Sequence, residues 1–223
     1  MQSRLPRLIV SPDIFASIQE TVEQTTEGIE TGVTLFGVRW DSGFTALAAV
    51  GPGPKAVHTP VFHQPDSDHL NREYKKLLER WPGLEWIGSL HVHPYGMPYL
   101  SGHDRSTVER IFGDASLCLS EFVAGIMQRR GGRLAIYPYL LRSDDRTPWL
   151  VPMEIVSSKS DVWREAERTA KTPPQVINAL LPTKTVGRRF WRRLTHIGSF
   201  LALLMRRFMT RNPKTNLQEN TYE

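Results

Sequence analysis

The 223-residue chain reads as an α+β fold, a curved mixed sheet flanked by helices. Short apolar runs of period two alternate with amphipathic stretches of helical period. Turn residues punctuate the boundaries, and two long runs near 121–141 flank a Gly-Gly pair, as in a hairpin.

Residues 5–10 form a first strand. Ser11-Pro12-Asp13 then opens a helix, with serine as N-cap and proline in the first turn, and Ile14, Phe15, Ile18 and Val22 share one face. Val33–Trp40 and Phe44–Val50 are strands joined at the Asp41-Ser42-Gly43 turn, and a further strand is expected over Val57–Phe62. Asp66 or Ser67 caps a helix to Trp81 with Leu70, Tyr74, Leu77 and Leu78 at helical spacing. Trp86–His93 is a strand and Asp104–Phe112 a short helix that opens at Asp104. Glu121–Gln128 and Arg133–Leu141 pair about Arg130-Gly131-Gly132, with Pro138 placing its strand partly at an edge. Trp149–Val156 is the expected last strand, and Asp161–Lys171 a charged helical stretch.

The chemistry concentrates in Leu90-His91-Val92-His93-Pro94 and Ser101-Gly102-His103-Asp104. Side chains of a strand alternate faces, so His91 and His93 point the same way, whereas a helix separates them by about 200°. Asp104, across a short loop, supplies a third, anionic donor. Two imidazoles and a carboxylate make a zinc site with one position open, the arrangement of catalytic rather than structural zinc.

These residues resemble the signature of the JAMM (JAB or MPN-plus) zinc metalloproteases: His-x-His-Pro, six residues, Ser-x-x-Asp. His91, His93, Pro94, Ser101 and Asp104 fill every fixed position. The family's upstream glutamate matches Glu30, which opens Glu30-Thr31-Gly32-Val33-Thr34-Leu35-Phe36-Gly37. Glu27 is a rival but lacks the leucine and glycine at the family's offsets. Val33 and Val92 depart from commoner glycine and serine, which marks a divergent member. The resemblance spans roughly residues 5–157 and implies a fold related to cytidine deaminases, Zn2+ held by His91, His93 and Asp104, and hydrolysis of peptide or isopeptide bonds. It further implies that Glu30 is general base then general acid, and that Ser101 donates a hydrogen bond to the oxyanion. The implied substrate is the C-terminus of a ubiquitin-like protein or its conjugates, beside E1-like and E2-like partners. MPN relatives without the ligands are scaffolds, and a zinc amidase acting on an unrelated substrate is the other alternative.

Rival mechanisms lack their residues. Cys118 lies in Ser116-Leu117-Cys118-Leu119, which reads as a strand where cysteine is inert packing. There is no Gly-x-Ser-x-Gly elbow or Walker loop, and Gly51-Pro52-Gly53-Pro54 reads as a turn. His58, His63 and His69 read as surface histidines, and so first does His103, with substrate contact the alternative for its place between Ser101 and Asp104. One cysteine in the whole chain and no signal-like apolar core near the N-terminus suit a reducing, cytoplasmic setting.

The organisation expected is a JAMM/MPN domain over 1–157, a charged helix and linker over 158–185, a basic amphipathic helix over 186–211 and a polar tail over 212–223. Residues 183–223 carry nine Lys and Arg against two Glu, a net of +7, leaving 19 basic against 21 acidic residues before them. Phe190, Leu194, Ile197, Leu201, Leu204 and Phe208 form one helical stripe bracketed by arginines. Its uncharged run of twelve residues between Arg193 and Arg206 is shorter than the roughly 20 needed to cross a bilayer. The stripe suits peripheral attachment to an anionic membrane surface, and docking on its own domain or on a partner is an alternative of nearly equal weight. It is more apolar than phosphate contact requires, so nucleic acid is not expected as a partner.

Overall fold

The expected alternation of strand and helix is present in the computed structural model, which describes residues 6–94, 96–115 and 117–173. The basic helix expected at 186–211 and the tail after it lie outside the described residues. In chain order the elements are β1 (Arg7–Val10), α1 (Pro12–Glu23), β2 (Gly32–Trp40), β3 (Gly43–Val50), β4 (Val57–Thr59), β5 (Phe62–Gln64) and α2 (Ser67–Arg80). Then follow β6 (Glu85–Val92), α3 (Gly102–Gly113), β7 (Glu121–Arg130), β8 (Arg133–Arg142), β9 (Trp149–Leu150), β10 (Met153–Ile155) and α4 (Asp161–Lys171). Among the described residues no helix is long and apolar enough to cross a membrane.

Local chemistry accounts for the boundaries. The Ser11 hydroxyl accepts from the Ile14 N–H at 3.2 Å, with Pro12 in the first turn of α1. The Asp66 carboxylate, not Ser67, caps α2 and accepts from Asp68 and His69 at 3.0 and 3.1 Å. Gly131 and Gly132, with φ of +54° and +75°, form the two-residue loop closed by the Arg130–Arg133 pair, which demands left-handed backbone at both positions.

Eight strands form one mixed sheet in the order β10-β1-β3-β2-β6-β7-β8-β9, and β4 and β5 pair separately. Two expected single strands are therefore corrected. Val57–Phe62 is broken at Pro60-Val61 into the β4–β5 hairpin, and Trp149–Val156 is broken at Pro152 into β9 and β10. In both, a residue without an N–H interrupts the ladder. The second break has a global consequence, because β9 and β10 border opposite edges of the sheet. Three Cα–Cα steps from Leu150 to Met153 reach about 11 Å, whereas a flat eight-stranded sheet separates its edges by roughly 34 Å. The sheet is accordingly curled into a half-barrel. Pro138 sits in β8, whose outer side is covered only by the two-residue β9.

Period-two alternation divides the core between two faces. Val33, Leu35, Leu90, Val92, Val123 and Met127 pack with Ile18 and Val22 of α1. On the other face Phe36 and Val38 meet Leu70 and Tyr74 of α2, together with Trp163, Ala166 and Ala170 of α4. The packed body thus runs past residue 157 to α4. Farther along the same face, Phe122, Ala124 and Ile126 meet Val108 and Ile111 of α3. Between these two outer clusters the sheet carries Gly32, Thr34, Ser89 and His91, in the pairs Gly32–His91 and Thr34–Ser89.

Candidate metal centre

The register that buries Leu90 and Val92 against α1 turns His91 outward on the opposite face. His93 follows directly after β6 and is held to β7 by its N–H to the Met127 carbonyl at 3.2 Å. The two Nε2 atoms stand 3.0 Å apart. Asp104 arrives from α3, with Oδ1 3.2 Å from His91 Nε2 and Oδ2 3.3 Å from His93 Nε2. His93 is 6% exposed, His91 18% and Asp104 14%, so the group is shielded yet reachable.

The placement of Asp104 differs from the sequence expectation. Ser101 is the N-cap and Asp104 the third helical residue, joined in a reciprocal capping box. The Ser101 N–H donates to Asp104 Oδ2 at 2.7 Å, and the Asp104 N–H donates to Ser101 Oγ at 3.2 Å. The helix N-terminus thereby orients the carboxylate.

Three observations test this donor set against a cation. Donors about 2.0–2.1 Å from a tetrahedral zinc lie about 3.3 Å apart, and the contacts here are 3.0 to 3.3 Å. The His93 Nδ1–H donates to the Met97 carbonyl at 3.2 Å, so this tautomer bares the Nε2 lone pair toward the group. Two imidazole lone pairs and a carboxylate at such distances repel one another unless a proton or a metal ion lies between them. His91, His93 and Asp104 therefore form a group able to hold a metal ion.

The same three groups are coupled electrostatically. Burial works to raise the Asp104 carboxyl, but hydrogen bonds from the His91 and His93 rings and from Ser101 hold it far below the usual carboxylate range. Burial opposes the charged form of His93, yet the adjoining Asp104 carboxylate outweighs it and raises its pKa. Glu30 is shifted upward by burial, with His91 and His93 partly offsetting it.

Glu30, Ser101 and the three donors line one cleft of about 480 Å³ between α3 and the β4–β5 hairpin. Glu27 is exposed and lines a separate pocket of about 100 Å³ behind His93. His103 is exposed at the cleft, edge-on to Phe62 with ring centroids 6.5 Å apart. Cys118 corrects its strand reading: it is exposed, in the loop before β7, at φ +49°, with Sγ donating to the Ala115 carbonyl at 3.1 Å.

Two histidines taken from sequence as surface residues belong to the site's surroundings. His58 and His63 face each other across the hairpin with centroids 5.3 Å apart. The His58 Nδ1–H donates to the Glu30 carbonyl at 2.9 Å, and the Glu30 N–H donates to the Thr59 carbonyl, also at 2.9 Å. Burial, aided by His58 and His91, lowers His63 to about 3, so its ring is neutral at ordinary pH. The ring packs on Gly32, where a Cβ would stand 3.2 Å from His63 Cε1 and 2.6 Å from the Leu90 oxygen. Pro60, inside the expected strand, was the available sign of a hairpin there.

No family model matches the chain, and no curated protein matches it. Among solved structures it is similar to the solution structure of protein DSY2949 from Desulfitobacterium hafniense, at 12% identity and a TM-score of 0.50. The likeness covers 67% of this chain and 94% of that one, and at such identity it concerns the fold alone.

Proposed function

We propose that the chain is a zinc-dependent JAMM-type metalloprotease that hydrolyses peptide or isopeptide bonds. One observation carries the reading: the convergence of His91, His93 and Asp104 in a cleft that Glu30 and Ser101 also line. The match of these residues to the JAMM signature supports it from the sequence side. His91, His93 and Asp104 would hold the zinc, which when bound supplies Lewis acidity to the scissile carbonyl and acidifies water.

The side chains then divide the remaining work. Glu30 accepts the proton of the attacking water as its oxygen bonds to the carbonyl carbon, and returns that proton to the amine as the C–N bond breaks. Partial burial raises its affinity for that proton. Ser101 donates its hydroxyl hydrogen to the oxygen on which charge develops. Asp104, anchored by the Ser101 N–H, remains anionic and keeps both rings in place.

The substrate we propose is the C-terminal region of a ubiquitin-like protein or its conjugates, with E1-like and E2-like proteins as partners in a cytoplasmic modification system. The apolar stripe of residues 190–208, with the arginines that bracket it, would hold the protein at an anionic membrane surface. Full-length zinc-loaded protein is to be incubated with a panel of modifier fusions and isopeptide conjugates, with and without chelator. Chelator-sensitive cleavage at the modifier's C-terminus is expected. Cleavage that ignores the chelator, or no cleavage of any fusion or conjugate, overturns the reading.

A further inference from the structure

We infer that the pocket behind His93 is a binding site for a small oxyanion, the carboxylate or phosphate group of a ligand, separate from the metal cleft. The site goes beyond the peptidase reading and stands whatever reaction the metal serves.

The pocket forms where β7 outruns its neighbour. Pairing of β6 with β7 ends at Val92–Met127, but β7 continues through Gln128 and Arg129 to Arg130. Past that last pair, His93 keeps one bond to the Met127 carbonyl, and its own carbonyl then closes a turn with the Gly96 N–H at 3.3 Å. The end of β7 is left without a strand on this side, and residues 27–29 border the gap instead. A void of about 100 Å³ results. Waters occupy roughly 30 Å³ each in the liquid, so it holds a few of them or one ion of the size of acetate or phosphate. Gly28 and Gly96 bring backbone to the walls without side chains to fill the space.

Gln128 is the residue in this wall that needs a partner. Alternation along β7 puts it on the same face as Phe122, Ala124 and Ile126, and it is only 2% exposed. Its Oε1 accepts from Arg130 Nε at 3.0 Å, which assigns the two ends of the amide. The Nε2 end is buried and meets no acceptor among the described residues. Buried donors in folded proteins are nearly always satisfied by protein, water or ligand.

Charge favours an anion over water as that acceptor. Arg129 and Arg130 both line the pocket. Arg129 is pinned at the end of α1, where Nη2 donates to the Val22 and Thr25 carbonyls, and Arg130 is oriented by Gln128. Neither guanidinium is ion-paired among the described residues. One carboxylate, that of exposed Glu27, stands in the same walls, so they carry net positive charge. An unsatisfied N–H beside guanidinium groups is the donor set that carboxylate and phosphate oxygens take. Ile29 in the wall directly precedes Glu30, and His93 is a candidate metal donor, so an occupant borders the segments that carry both.

The test is an NMR titration of full-length protein, with and without bound zinc, using sodium acetate and inorganic phosphate in separate arms and sodium chloride of equal ionic strength as control. The side-chain NH2 signals of Gln128 and the backbone amides of Gly28 and Gly96 are followed, because they report this pocket rather than the metal's open position or the arginines of the tail. At least one oxyanion should shift all three along a single saturable isotherm in the millimolar range or tighter, with zinc and without. A response to acetate assigns the site to a carboxylate, and a response to phosphate assigns it to a phosphate group. Gln128→Met and Arg130→Met should each weaken binding at least about tenfold, the effect of losing one charge-assisted hydrogen bond, with zinc stoichiometry unchanged. Should Gln128→Met fail to fold, exposed Arg130→Met carries this arm. No saturable shift with either oxyanion, shifts that chloride reproduces, or wild-type affinity in the folded variants overturns the site.

Discussion

Ser101 and Asp104 cap one another, the serine backbone N–H held by the carboxylate at 2.7 Å and the aspartate N–H held by the serine hydroxyl at 3.2 Å. One interaction thus serves the start of α3 and the aim of a candidate metal donor. Ser101→Ala is expected to lose about 1 kcal/mol of stability from the cap and to slow turnover on the order of 100-fold from the missing oxyanion donor. Ser101→Gly, which costs a cap only a few tenths of a kcal/mol, should nearly restore Tm without restoring turnover. Parallel recovery of both would reduce the serine to a helix cap.

The donor set predicts one zinc per chain. His91→Ala combined with His93→Ala should abolish it, because Asp104 alone offers one anionic ligand. Metal analysis after dialysis reads the outcome, and unchanged stoichiometry in the double variant would place the metal elsewhere.

Base and ligand are separable at Glu30. Glu30→Gln should retain zinc and Tm but lose hydrolysis, since an amide does not accept the proton, while exposed Glu27→Gln should stay active. The reverse pattern would assign the wrong carboxylate. His58→Ala, which removes the 2.9 Å bond on the Glu30 carbonyl, should lower kcat by about tenfold with KM little changed, as expected when a base is less well held. His58→Asn, which keeps an N–H donor, should recover part of the loss.

Asp66 provides a pH test away from the metal. Burial works to raise its carboxyl, but the backbone N–H groups of His69, Lys55 and Asp68 outweigh that and lower it from 3.8. A depressed folded pKa contributes stability that is complete above the unfolded value near 3.8 and lost as pH falls through the folded value. Wild type should therefore exceed Asp66→Ala by about 1 kcal/mol at pH 6–7, and the gap should shrink below pH 4. Urea unfolding at both pH values measures it, and a gap independent of pH would remove the charge from the explanation.

For the tail the prediction rests on sequence. Truncation after Thr183 removes the stripe from Phe190 to Phe208 and its arginines, each worth roughly 1 kcal/mol near an anionic surface. Zinc binding should persist and sedimentation with acidic vesicles should stop. Full-length protein that ignores such vesicles ends the membrane proposal.

Local chemistry alone determined much of this protein. The caps at Ser11 and Asp66, the Gly131-Gly132 hairpin and the two-face alternation of β6 follow from hydrogen-bonding side chains, left-handed backbone and period-two burial, all written within a few residues. That His91 and His93 share a face was legible for the same reason. The tertiary structure decided what depends on residues far apart in sequence. Pro60 and Pro152 each split an expected strand, and only the destinations of the halves show that one break makes a hairpin clasping Glu30 and the other sends β9 and β10 to opposite edges of a curled sheet. Likewise the cleft beside His91, His93 and Asp104 results from which strip of the sheet α2, α3 and α4 leave uncovered. A sequence window carries its own periodicity but not its neighbour's volume, so a surface histidine, His58, became Glu30's support and a charged helix became part of the core only once long-range packing had chosen their partners.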